Sequence, residues 1–499
     1  MNGVRVGAAQ FAVGSSVAEN LASCVHAVES AAAEGAEVVV LPGYANHPGR
    51  YDDRAHAGRV ACGIGGEFVS TVAAAAAAAG VYVKLHVTVA DADRVTASNL
   101  LVDPAGEVIA RADDRAVGRF LDPVVTPPRV VDTPLGRFGM YGGADGRQAE
   151  IPRALALGGA QVLLASLWST DPDDARLHLP VRAAESKVWI VAANVIGRAH
   201  AVTDDFAGES GLYGPDGATV TAAPRDAEGV AVARLEPGWA DDKTRPDGGD
   251  IFLARRPRLY GAGRPPRSKP PAAATTRVAV VRPRGHGMSA IEDAGRLVRA
   301  AATDGADLIV LPELFHYADG RADGSFLDGI AVDVVSQALE DSTCHVVTSL
   351  PDDAAHVGVL IGASGVIGRQ VQMHPCGRHL SWQAAFGDRL TPFDLSWGRL
   401  VLVVGDDALY PEVFEIASRL GADLVAVPCA PAERWELTIG LPARSLEQGL
   451  NIVAAAHPGP GGGGAILAAG APARFVAADA VTVAGELHPR VTESTRSAP

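Results

Sequence analysis

Cysteine is scarce in this 499-residue chain. There are five, Cys24, Cys62, Cys344, Cys376 and Cys429, an odd and scattered set with no Cys-x-x-Cys pair, so neither a disulfide framework nor a thiolate zinc site is expected. Long apolar runs are missing too. The alanine stretch Ala73–Ala79 is too short to span a bilayer and is expected to be helical. Positive charge is in deficit, with 43 Lys and Arg against 58 Asp and Glu and a net charge of −15, which argues against nucleic acid or an anionic membrane as a partner. The N-terminus enters a strand-like pattern, Val4-Arg5-Val6-Gly7-Ala8-Ala9, without the basic region and apolar stretch of a secretory leader, so a cytoplasmic location is expected.

What is present is enough apolar material, 48% of residues, for more than one core, and the length implies two or three domains. The pattern then shows one unit written twice. Leu21, Val25, Val28 and Ala32 keep helical spacing before Gly35-Ala36-Glu37 and the run Val38-Val39-Val40-Leu41-Pro42. Ile291, Ala294, Val298 and Ala301 repeat that spacing before Gly305-Ala306-Asp307 and Leu308-Ile309-Val310-Leu311-Pro312. Each is an amphipathic helix, a glycine stop and a short strand that is apolar throughout, as a sheet covered on both faces requires. Gly136-Arg137 and Gly398-Arg399 each open an apolar strand, a glycine-containing turn and a helix, which ends at Gly159-Ala160 or Gly421-Ala422. Arg182-Ala183-Ala184-Glu185 and Arg444-Ser445-Leu446-Glu447 complete the repeat in the same order. Between the halves, Arg255–Thr276 is proline-rich and basic, an expected extended spacer. Alternating strands and helices give an α/β reading, with domains at 1–262 and 277–485, a linker at 263–276 and a tail at 486–499.

These landmarks resemble the nitrilase, or carbon–nitrogen hydrolase, superfamily. In the first half the resemblance rests on Val40-Leu41-Pro42, Asn99-Leu100-Leu101-Val102-Asp103-Pro104-Ala105-Gly106, Gly211-Leu212-Tyr213-Gly214-Pro215-Asp216-Gly217 and the closing Arg255-Arg256-Pro257-Arg258-Leu259-Tyr260. In the second it rests on Leu311-Pro312-Glu313-Leu314, Phe393-Asp394-Leu395-Ser396-Trp397-Gly398-Arg399 and Tyr410-Pro411-Glu412. It implies a four-layer αββα sandwich in each half. For a fused tandem it further implies an intramolecular pseudo-dimer, the alternative being two domains strung side by side, with room for further homo-oligomers. The segment after Gly461-Gly462-Gly463-Gly464 lacks the signature of Pro215-Asp216-Gly217, which suggests a truncated second domain.

The resemblance also implies a site made of a glutamate general base, a lysine for the oxyanion and a cysteine nucleophile on a strand-to-helix turn. The chemistry needs a thiolate, a neighbour to take its proton, and a cation beside the charge that develops on oxygen. The first half has Gly43, Asp114 and Gly143 at those places, with Arg115 replacing Asp114 if the alignment slips by one residue. The second half keeps Glu313, with Gln372 at the lysine place, Arg378 as a weaker substitute for it, and Gly405 at the cysteine place. Neither half retains an attacking thiol.

Glycine accepts backbone angles that strain other residues, so Gly143 and Gly405 fit turns kept for shape; alternatively, Gly405 leaves space for a ligand group. Asp145 and Asp407, two residues further on, are expected to cap the helices that follow, the sharper reading being a carboxylate cluster of Asp406, Asp407 and Glu313. Cys429 ends the strand-like run Leu424–Pro428, a pocket-rim place for a displaced nucleophile, but scattered cysteines are usually inert apolar side chains, and Cys376 is read alike. His47, His374 and His379 have no second histidine at ligand spacing. They are read as loop or surface residues, and no metal or cofactor is expected. Gly461-Gly462-Gly463-Gly464 lies outside any phosphate-binding motif and reads as a flexible loop.

Two functions follow. The first is a protein silent in cysteine-dependent hydrolysis that acts by binding, as a sensor of an amide, nitrile or acyl ligand or as a scaffold for a partner enzyme. The second is a divergent hydrolase or acyl-transfer enzyme acting on C–N bonds, in which Glu313, its pKa raised by an apolar pocket, is the general base.

Overall fold

The computed structural model describes residues 3–115, 117–124, 127–198, 205–261, 268, 272–318, 326–458, 463–477 and 479–489. The expected linker prolines Pro265, Pro266, Pro270 and Pro271, the loop residues Gly461 and Gly462 and the tail from 490 onward lie outside these. The chain divides into two compact units, Met1–Lys243 and Thr244–Ala498. The division falls ahead of the boundary expected from sequence. Arg255–Tyr260, read as the close of the first domain, belongs with the second unit because Arg255 pairs with Glu412 at 2.6 Å, Arg256 donates to Met373 O at 2.8 Å, and the Tyr260 hydroxyl meets the His374 ring.

Each unit holds two six-stranded sheets in the same order. In the first unit one sheet runs Gly229–Leu235, Val4–Gln10, Val38–Val40, Tyr82–Asp91, Arg94–Val102, Val108–Asp113. The other runs Thr219–Ala222, Gly211–Tyr213, Trp189–Ala193, Val162–Ser166, Gly136–Gly142, Val130–Thr133. In the second unit the matching sheets run Thr482–Leu487, Thr276–Val281, Leu308–Val310, His345–Asp352, Ala355–Gly362, Gly365–Val371, and Arg474–Val476, Gly464–Leu467, Asn451–Ala455, Leu424–Pro428, Gly398–Leu402, Pro392–Leu395. Thr482–Leu487 lies antiparallel to Thr276–Val281 just as Gly229–Leu235 lies against Val4–Gln10. The second unit is therefore complete in strands, which corrects the expectation of a truncated domain with a tail from 486.

The apolar runs are explained by two cores meeting on one strand. Val278, Val280, Leu308 and Val310 point between the sheets, where they pack with Leu400, Leu402 and Leu424. Their neighbours Ala279, Val281, Ile309 and Leu311 point the other way, onto helices Met288–Thr303 and Leu327–Ala338. Side chains alternate across a strand, so both sets must be apolar. Helices Pro411–Arg419 and Leu441–Gln448 pack together beyond the second sheet, completing four layers, αββα. In the first unit Val17–Ala33, started by Ser16 accepting from Glu19 N at 3.3 Å, and Glu67–Ala79, which contains the alanine run, take the outer helical layer.

The third sequence repeat is a buried i,i+3 ion pair. Arg182–Glu185 (2.5 Å) lies on helix Leu179–Ser186, and Arg444–Glu447 (3.0 Å) lies on Leu441–Gln448. Burying two charges is tolerated only when they meet, which is why both residues recur together. No helix among the described residues is long and apolar enough to cross a membrane.

Candidate functional site

In the second unit four chain segments converge beyond the ends of strands from both sheets. Strand Leu308–Val310 delivers Leu311-Pro312 and then Glu313, held by Leu314 at φ +47°, whose N–H donates to Ser349 Oγ at 3.1 Å. Strand Gly365–Val371 leads into Gln372, and the following loop carries Arg378 and His379. Strand Gly398–Leu402 leads to the turn at Gly405. Asp407 fixes the loop to the turn: its carboxylate accepts from Met373 N at 3.0 Å, His374 N at 2.9 Å and His374 Nδ1 at 2.7 Å. Asp407 is thus a clasp between segments and not the helix cap expected. The loop's free amides compete better for it because they are buried with it.

Glu313 is fully buried. Its Oε1 takes Arg378 Nη2 and His379 Nε2, both at 3.1 Å, while Oε2 has no partner among the described residues. Burial pushes this carboxyl up, but Arg378, His379 and His356 outweigh it and hold the group well below the usual carboxylate range. Gln372 reaches the same place, with Nε2 also lacking a partner and Oε1 2.7 Å from His356 Nδ1. The cation beside Glu313 is therefore the Arg378 guanidinium, which the sequence ranked below the Gln372 place.

Behind Arg378 lies a second row of charges. Arg378 Nη2 is 3.4 Å from Asp406, and Nη1 is 3.6 Å from Asp247. Arg245 binds Asp406, Asp247 (3.2 Å) and Glu436 (2.7 Å). Burial pushes Glu436 up to about 7, with Asp406 adding to the shift and Arg245 opposing it. A small, partly open pocket lies at this edge, lined by Gly405, Asp406, Cys429 and Glu436 and by the apolar side chains of Leu437 and Leu441. Of the pocket residues anticipated from sequence, Asp406 and Cys429 line it; Asp407 faces away, into the loop it clasps.

Gly405 adopts φ +52°, the left-handed region. A Cβ built there would fall 2.8 Å from Glu313 Oε2 and 3.2 Å from Gln372 Nε2. The orphaned carboxylate oxygen thus leans over the turn, in space that a side chain at 405 would need.

The same place in the first unit is closed. Gly43 N donates to Leu167 O at 2.8 Å, and a Cβ on Gly43 would lie 2.7 Å from that oxygen, so no glutamate fits. Gly143 has φ +53°, matching Gly405. Asp114 is buried against His86 Nε2 (2.9 Å) and Asn99 Nδ2 (2.8 Å), and Asp145 accepts from Arg115 N at 3.1 Å and is no helix cap either. Lys84, fully buried, donates to Tyr141 O at 3.1 Å, and burial drives its pKa well down, opposed by Asp114.

His47, His374 and His379 lie in loops or a short turn, as expected, but are buried there and not at the surface. His374 and His379 are held inside by Asp407 and Glu313, and His47 by its contact with Pro48 O at 2.9 Å. Cys429 Sγ turns to Ala455 O at 3.4 Å, and burial pushes its thiol up; Cys376 is shifted the same way for the same first reason. His356, Arg245 and Glu436 escaped sequence reasoning. Lys84 and His86 left a signal, being polar residues facing inward on an otherwise apolar strand; Arg245, just past the unit boundary, left none.

Residues 5–242 match the family model of the carbon–nitrogen hydrolases. A nitrilase of Pyrococcus abyssi is 27% identical over 246 residues, 48% of this chain and 93% of its own length. Human deaminated glutathione amidase is 34% identical over 134 residues, 26% of this chain and 40% of its own. Among solved structures, a variant of an amidase of the nitrilase superfamily from Nesterenkonia AN1 aligns at 20% identity with a TM-score of 0.44, over 52% of this chain and 95% of its own.

Proposed function

We propose that the chain, whose residues 5–242 match the carbon–nitrogen hydrolase family model, belongs to that family and that both its units are copies of this fold whose cysteine chemistry has been lost, the protein acting by binding. The observation that carries the reading is Gly405. In this reading it stands where a nucleophile would, in a left-handed turn, with the Glu313 oxygen already occupying the space a side chain requires. Thiolate attack on a carbonyl or nitrile carbon needs sulfur beside its proton acceptor. Neither Cys429 nor Cys376 supplies it, since burial keeps both protonated. In the first unit Gly43, Asp114 and Gly143 leave no base, cation or thiol.

The surface offered for binding is the small, partly open pocket beside Gly405, whose polar side chains would meet an amide, nitrile or acyl group and whose apolar wall is Leu437 and Leu441. The protein then works as a ligand sensor or as the scaffold of a partner enzyme. A second reading, a divergent hydrolase or acyl-transfer enzyme with Glu313 as base, draws on that open pocket. It is weakened by Arg378 and His379, which make Glu313 a poor base. Ammonia release from simple amides and nitriles mixed with the full chain is expected to stay at the buffer level; turnover that disappears in Glu313→Ala overturns the proposal.

A further inference from the structure

The fold brings together a donor set that sequence spacing hides. One oxygen of Glu313 and one ring nitrogen each of His356 and His379 lie within 4.8 Å of one another, and all three side chains are buried. We propose that Glu313, His356 and His379 form a binding site for one divalent transition-metal ion of the zinc or ferrous class. This goes beyond the ligand-binding role above and does not depend on it.

Donor chemistry comes first. Two imidazoles and one carboxylate suit a first-row transition ion and are poor ligands for Mg²⁺ or Ca²⁺. An ion about 2.0–2.2 Å from each donor sets those donors roughly 3–4 Å apart. The Glu313 Oε1 to His379 Nε2 edge, at 3.1 Å, already meets that spacing. The other two edges are no longer than 4.8 Å.

The protonation state of His356 is also suitable. Its Nδ1 lies 2.7 Å from the Gln372 carbonyl oxygen, which places the proton there and leaves the lone pair on Nε2. Nε2 faces the Ser349 hydroxyl at 2.7 Å, a contact an incoming ion can replace. A ligand histidine oriented through its other nitrogen is the usual outer-shell arrangement, and Gln372 provides it.

Charge balance and an orphaned atom point the same way. Glu313, Asp406, Asp247, Glu433 and Glu436 are five carboxyl groups held by two guanidiniums, Arg245 and Arg378. A divalent cation supplies the missing positive charge. Arg378 can yield Glu313 because it already lies 3.4 Å from Asp406 and 3.6 Å from Asp247. Glu313 Oε2, buried and without a hydrogen-bond partner among the described residues, is available as a second oxygen ligand.

The test uses the full chain, stripped with a chelator and titrated with Zn²⁺, Co²⁺ and Mg²⁺. Uptake of about one equivalent of Zn²⁺ or Co²⁺, with a rise in Tm and no response to Mg²⁺, is expected. His356→Gln and His379→Gln, checked for folding by circular dichroism, are each expected to weaken binding by about a hundredfold or more. Cys376→Ser is expected to bind as the parent does. Should the histidine variants misfold, shifted imidazole N–H resonances in the Co²⁺ form of the parent report ring ligation directly. No uptake, uptake unchanged in both histidine variants, absent shifted resonances, or loss confined to Cys376→Ser (which places the ion on Asp247, Cys376 and Asp406) overturns the proposal.

Discussion

Restoring a side chain at Gly405 tests the collapsed turn. In Gly405→Ala the new Cβ meets Glu313 Oε2 at 2.8 Å and Gln372 Nε2 at 3.2 Å, whereas ordinary contact begins near 3.4 Å. The left-handed backbone at φ +52° adds about 1–2 kcal/mol for any L side chain. Forcing the buried carboxylate aside adds about 1–3 kcal/mol by the scale of overpacked cores. The sum is roughly 2–5 kcal/mol, and at about 2–4 °C per kcal/mol for a unit of this size the Tm should fall by roughly 4–20 °C. Gly405→Cys should fall at least as far and gain no amidase activity, because its thiol arrives only by displacing the base it needs. Pairing Gly405→Ala with Glu313→Ala in a double-mutant cycle should cost less than the two single changes summed, by about 0.5–3 kcal/mol, since the second removes the obstructing atom. Differential scanning calorimetry reads both effects. A Gly405→Ala Tm close to the parent's, or turnover in Gly405→Cys, would refute the steric argument.

Further consequences can be measured separately. Gly43→Glu should destabilise the first unit and create no activity, because its Cβ meets the backbone of Leu167 at 2.7 Å and backbone cannot swing away; urea unfolding checks this. Arg444→Met strips Glu447 of its 3.0 Å partner and should cost about 3–5 kcal/mol, read from the same unfolding curves. Folded Glu436 titrates near 7, above its unfolded value, so the native state holds the extra proton and its contribution weakens as pH rises from about 4.5 through 7. Glu436→Gln should therefore flatten the loss of stability between those values. Glu313 has the opposite sign: its depressed pKa contributes stability above the unfolded carboxylate range that is lost as pH falls below it, and Glu313→Gln should blunt acid unfolding.

The fold was legible because its determinants are local and repeated. Runs such as Leu308-Ile309-Val310 must be apolar at every position when two cores share one strand, and a glycine stop precedes each such strand in both halves. The end of the first unit was not legible in this way. Arg255–Tyr260 looks like a closing segment from its residues, and only long-range partners, Glu412 and His374, show which core it joins. At the site, Gly405 and Glu313 stand out through the family resemblance of the motifs around them, whereas Arg245, His356 and Glu436 come from segments far apart in sequence. Asp145 and Asp407 were misread as caps for a related reason. A short acceptor two residues past a turn suits a cap, but the half-buried amide of Arg115 and the buried amides of Met373 and His374 claim them first.

Intact-mass spectrometry of the folded parent chain, after incubation with an excess of an activated acyl donor, probes the central claim most directly. The account predicts a single peak at the unmodified mass. A thioester adduct that maps to Cys429 or any other cysteine, and is absent in Glu313→Ala, contradicts it.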